Sequence, residues 1–95
     1  MSILVIGGDN LGSITQKLSD NGFSDIQHIS GRKPGDRKIK LSCETDLVLV
    51  LVDFIGHALM HNIKKESKKY GVKITFSKRS WTHIEDNIQN CIKEI

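Results

Sequence analysis

The chain has little from which to build a membrane span, a disulfide framework or an aromatic core. No apolar run approaches the roughly 18 residues that crossing a bilayer requires. Two cysteines, Cys43 and Cys91, stand far apart and form no Cys-x-x-Cys pattern, so reduced thiols are expected and a structural disulfide is not. Three Phe, one Trp and one Tyr leave Ile, Leu and Val to supply most of the core. No internal repeat and no linker divides the chain. Met1-Ser2-Ile3-Leu4 runs straight into a strand-like segment without the charged start or cleavage site of a signal peptide, which predicts a cytosolic protein.

What is present fits one small domain. The chain has 95 residues, 38% hydrophobic and 26% charged, an ordinary balance for a soluble globular protein and the wrong one for a disordered chain. Net charge is +3, from 14 Lys plus Arg against 11 Asp plus Glu. The excess is uneven: Arg32, Lys33, Arg37, Lys38 and Lys40 crowd one stretch, and Lys64, Lys65, Lys68 and Lys69 another. This permits anionic partners without demanding them.

The pattern alternates between strands and helices. Ser2 to Ile6 is an aliphatic run stopped by Gly7-Gly8, the pattern of a buried strand. Asp9 or Asn10 is placed to cap a helix bearing Leu11, Ile14 and Leu18, with Asn21-Gly22 as its stop. Asp25 to Ser30 reads as a second, more polar strand. A basic connection over residues 31–43 follows. Within Asp46 to Phe54, the run Leu47-Val48-Leu49-Val50-Leu51-Val52 shows no polar alternation, as expected of a central parallel strand covered on both faces.

A helix is predicted from about Gly56 to Tyr70, ended by Gly71, with Leu59, Ile63, Ser67 and Tyr70 on the side facing the sheet. Val72 to Ser77 is a fourth strand. Thr82-His83-Ile84-Glu85 has the form of a capping box, opening a last helix that turns Ile84, Ile88, Cys91 or Ile92, and Ile95 inward. The order implies a small three-layer α/β fold: a four-stranded parallel sheet with helices on both faces. Right-handed crossovers make the strand order 2-1-3-4.

In an open parallel sheet the ligand site lies outside the carboxyl ends of the strands, where strand order reverses. Those ends here carry Gly7-Gly8-Asp9-Asn10, His28-Ile29-Ser30-Gly31-Arg32, Asp53-Phe54-Ile55-Gly56-His57 and Ser77-Lys78-Arg79-Ser80. On the following helix His57, His61, Lys64 and Lys68 fall within about 60° of one another. His57 and His61, at i and i+4, have the spacing of paired metal ligands, which is also that of a solvated stripe. His28 fits a rim ligand or a satisfied edge histidine. His83 reads as a surface residue. The four histidines and two cysteines contain no full structural zinc pattern.

The segment Gly7-Gly8-Asp9-Asn10-Leu11-Gly12 has the form of a phosphate cradle. However, Asp9 stands where the dinucleotide fingerprint requires glycine, and would repel a pyrophosphate. Ser30-x-Arg32 has the chemistry to meet a 2′-phosphate. The Arg32–Lys40 cluster has no interleaved aromatic residue and so lacks a base-stacking platform.

At these same positions the chain resembles the bacterial domain-of-unknown-function family 2325. The resemblance rests on Gly7-Gly8, on His28-x-x-Gly31 and above all on Asp53-Phe54-Ile55-Gly56-His57-Ala58, with Lys64, Lys65, Arg79 and Ser80 matching further on. It implies a Rossmann-like fold with Gly7, Gly8, His28, Gly31, Asp53, His57 and Arg79 as marked positions. The chain departs from the family pattern in two places. Phe54 replaces a frequent cysteine, and Ile29-Ser30 replaces an acidic step after the histidine, so a thiolate and a carboxylate are both missing from the rim.

Three functions are compatible with these residues. The first is a cytoplasmic binding or sensing module in which His57, with His28 and either His61 or Asp53, holds a divalent metal ion or a haem iron. The second is a site for a nucleotide or phosphorylated metabolite formed by Gly7, Gly8, Asn10, Arg32, Lys78 and Arg79. The third is a nucleic-acid-associated protein, or a metal-dependent nuclease. Catalysis with His57 as general base and Asp53 orienting it is allowed by residue type. The open edges of a four-stranded sheet predict a homodimer or larger homo-oligomer.

Overall fold

The computed structural model describes residues 1–8, 11–30, 44–52 and 57–94. It contains β1 (Ser2–Ile6), α1 (Ile14–Asp20), β2 (Asp25–Ile29), β3 (Leu47–Leu51), α2 (His57–Tyr70), β4 (Lys73–Ser77) and α3 (Trp81–Glu94). All three strand pairings are parallel, and the sheet order is β2-β1-β3-β4. Strand order therefore reverses between β1 and β3, as the chain pattern requires.

The two-residue period of the strands divides the core between two faces. Ile3, Val5, Leu47, Leu49 and Leu51 pack with Ile14 and Leu18 of α1 and with Ile84 and Ile88 of α3. Leu4, Ile6, Val48 and Val50 point the other way, against Leu59 and Ile63 of α2. All five residues of β3 are buried, which explains why its sequence shows no alternation. Each such side chain contributes about 1.5–3 kcal/mol on burial. The edge strand β2 has no fully buried residue, and accordingly reads as more polar. At the amino ends, Ser2 and Asp46 bond reciprocally: the Ser2 amide donates to Asp46 Oδ2 at 2.8 Å, and the Asp46 amide to the Ser2 carbonyl at 3.0 Å.

Three expectations shift. Helix α1 begins at Ile14 with Ser13 in the cap position, not directly after Asn10, because Gly12 adopts φ +56 and breaks any earlier turn. Helix α3 begins at Trp81, and the Ser80 carbonyl accepts its first i→i−4 bond, from the Ile84 amide at 3.0 Å. Glu85, expected to close a box with Thr82, instead accepts the Trp81 indole N–H at 3.0 Å. Tyr70, the last residue of α2, is 39% exposed, whereas Leu59, Ile63 and Ser67 are buried as expected. The basic connection 31–43, the segment 53–56 and Ile95 lie outside the described residues.

Candidate functional site

The carboxyl end of β1 is fastened to β2 through one residue. Gly7 donates its amide N–H to the Ile29 carbonyl at 2.8 Å, and its own carbonyl lies 3.0 Å from His28 Nε2. A carbonyl oxygen only accepts, so Nε2 must carry the proton in this bond. In the neutral imidazole the lone pair is then on Nδ1. Gly7 and Gly8 take φ of 114 and 78, values that side-chain-bearing residues rarely adopt, and both are buried. The glycine pair thus makes the turn out of the sheet and presents the carbonyl that orients the His28 ring.

His28 pairs in register with Val5, which belongs to the face covered by α1 and α3. Its neighbour Ile29 packs against the opposite core. By strand alternation His28 faces the α1 side, whereas His61 is exposed on α2, the helix of the other face. The two histidines therefore belong to elements on opposite faces of the sheet. His57 opens α2. Among the described residues, no group of three or more His, Cys, Asp and Glu side chains is arranged to hold a metal ion. Asn10, Gly31, Arg32 and Asp53 lie outside the described residues.

A different assembly forms on the α1/α3 side. A groove of about 590 Å³ lies between the start of α1 and the start of α3, lined by Leu11, Ile14, Lys17, Arg79, Ser80 and Trp81 together with Gly12 and Ser13. The Lys17 ammonium sits 5.5 Å from the centroid of the Trp81 ring, a cation–π distance. Trp81 is also held at its other polar contact by Glu85. Of these residues the rim motifs identify Arg79 and Ser80, but not Lys17 or Trp81. A solitary tryptophan directly after the fourth strand's basic end is the only local sign.

Of the expected phosphate cradle, Gly7, Gly8, Leu11 and Gly12 are described, whereas Asp9 and Asn10 lie outside the described residues. The Gly7 amide is directed to Ile29, and the helix whose amino end was to complete the cradle starts only at Ile14 and is 7 residues long. Of the cationic side chains, Lys17 and Arg79 line the groove. His83 is exposed on α3. Cys91 is a free thiol, half-buried against the α3 core. No helix among the described residues is long and apolar enough to cross a membrane.

Neither a comparison with curated proteins nor one with solved structures gives a match. A family model does match, over residues 2–91, and so spans every described element from β1 into α3. The chain belongs to the bacterial family described as "Uncharacterized protein conserved in bacteria (DUF2325)".

Proposed function

We propose that the chain is a small cytoplasmic binding or sensing module that holds a metal ion or haem iron through histidine at the carboxyl ends of its strands. The observation that supports this is the hydrogen bond from His28 Nε2 to the Gly7 carbonyl at 3.0 Å. Ligating histidines characteristically donate their other ring N–H to a carbonyl or carboxylate, which fixes both tautomer and ring direction. His28 has that arrangement, with Nδ1 as the coordinating nitrogen.

The second ligand in this reading is His57, which opens α2, with Asp53 four residues before it in sequence. His61, exposed one turn further along α2, is the alternative to Asp53 as a third ligand. Haem suits such a sparse donor set better than a bare ion. The porphyrin supplies four nitrogens itself, and the protein adds one or two axial ligands. A structural zinc ion would need four ligands from the chain. The exposed edge strand β2 also suits a homodimer formed through this side of the sheet.

Titration of the purified chain with haem, and separately with zinc, tests the reading. A stoichiometric complex that weakens in His28→Ala supports it. No saturable complex with either would sink it.

A further inference from the structure

We infer that Asn21-Gly22, at the end of α1, is a modification site. Asn21 deamidates through the Gly22 backbone nitrogen, the folded turn holds that reaction in check, and its product loosens the end of α1. The inference is independent of the histidine proposal, since it uses none of those residues.

The turn that ends α1 demands a glycine. The Phe23 amide donates to the Leu18 carbonyl at 3.2 Å, and the Gly22 amide to the Ser19 carbonyl at 3.2 Å. These are the paired bonds of a Schellman motif, which puts a left-handed residue just past the cap. Gly22 accordingly takes φ +98, and Phe23 and Leu18 are buried in one core. Asn21 is the cap residue, and its Nδ2 donates to the Lys17 carbonyl at 2.7 Å. Local folding therefore sets a carboxamide directly before a residue without Cβ, and Gly22 is exposed. Of the chain's five asparagines only Asn21 has such a neighbour. Asn10, Asn62, Asn87 and Asn90 precede Leu, Ile, Ile and Cys, whose side chains crowd the amide that would attack.

The step needs only base and water. The Gly22 nitrogen loses its proton to hydroxide and attacks Asn21 Cγ. The Cγ–Nδ2 bond breaks, and Nδ2 leaves as ammonia after taking a proton from water. The cyclic imide then adds one water and opens at either carbonyl, to aspartate or to isoaspartate. Nothing is oxidised or reduced.

The folded turn opposes ring closure at three points. The Gly22 N–H is bonded to Ser19. The carboxamide is turned back along α1 to Lys17, and its Oδ1 accepts from Gln89 Nε2 at 3.4 Å. At ψ 14 of Asn21, the Gly22 nitrogen lies well away from the eclipsed position beside Cβ that a five-membered ring requires. Conversion therefore waits on opening of this end of α1, and its rate follows the open population. The aspartate product lacks the donor to Lys17 and puts negative charge at a helix carboxyl end, where it is unfavourable.

The full chain would be incubated at mildly alkaline pH, in buffer and in concentrated urea, and mapped by mass spectrometry. The peptide released after Lys17 contains Asn21 and no other asparagine. In urea Asn21 should convert well ahead of the other four asparagines, and in buffer about tenfold or more slowly than in urea. Phe23→Leu, which loosens the packing under the turn, should raise the rate in buffer about threefold or more and leave the rate in urea unchanged. Asn21→Asp should melt below the parent chain.

The comparison of buffer with urea stands even if Phe23→Leu folds poorly. The inference is overturned if Asn21 converts no faster than the other asparagines in urea, or equally fast in buffer and urea. It is overturned too if folded Phe23→Leu converts like the parent, or if Asn21→Asp melts with it.

Discussion

His28 Nε2 donates to the Gly7 carbonyl across 3.0 Å, while the Gly7 amide donates back to the Ile29 carbonyl at 2.8 Å. One glycine is therefore held to β2 by both of its backbone groups. The first bond is made by a side chain, the second continues the ladder, and together they set the ring of His28 against the turn that leaves β1. A side chain at position 7 would have to tolerate φ 114, which explains glycine at this point in physical terms.

His28→Ala removes that bond and leaves the Gly7 carbonyl to water. Because His28 is exposed, the expected loss is modest, about 0.5–1.5 kcal/mol. Urea unfolding of the two chains measures it. A loss well beyond that range would mean that the histidine has a larger structural part than one hydrogen bond.

Leu49→Ala should be far more damaging. Leu49 is fully buried at the centre of β3, in the core shared with α1 and α3. The cavity and lost transfer energy cost about 2–5 kcal/mol, a large share of the roughly 5–15 kcal/mol of a typical domain. A lower urea midpoint, with the slope preserved, is the expected result.

Gly12→Ala isolates backbone strain from crowding. Nothing lies within 4 Å of an added Cβ there, but φ is +56. The expected cost is about 1–2 kcal/mol from the left-handed conformation alone. Gly12→Asn should cost less, because asparagine tolerates that region better. Equal stability of all three chains in thermal unfolding would remove Gly12 as the reason for the late start of α1.

Much of the fold was legible because burial on both faces leaves a direct trace in composition. The Leu47–Leu51 run announces a central strand, and the remaining strands and helices follow in an order that a 2-1-3-4 sheet accommodates. Helix starts were less legible. The residue pattern before α1 looks like a cap, and the decisive fact is the backbone angle of Gly12, which no periodicity reveals. At α3 both Ser80 and Thr82 have capping chemistry, and the Trp81–Glu85 contact takes the glutamate that would have completed the Thr82 box.

The rim itself followed from topology, but its contents did not. Gly7 and His28 were both placed at strand ends, yet the bond between them depends on parallel register between β1 and β2. The meeting of Lys17 with Trp81 depends on α1 and α3 sharing one face. Neither contact leaves a local signature. His57 and His61 share a helical spacing, and that spacing says nothing about which face of the sheet either one serves.

The most direct test of the histidine proposal is an ultraviolet-visible spectrum with metal analysis, taken on the protein as purified and after haem addition, beside His28→Ala and His57→Ala. The account predicts a Soret band or a stoichiometric metal in the parent chain that is lost or shifted in both variants. A colourless, metal-free parent that does not respond to haem, or a complex that both variants leave unchanged, would contradict it.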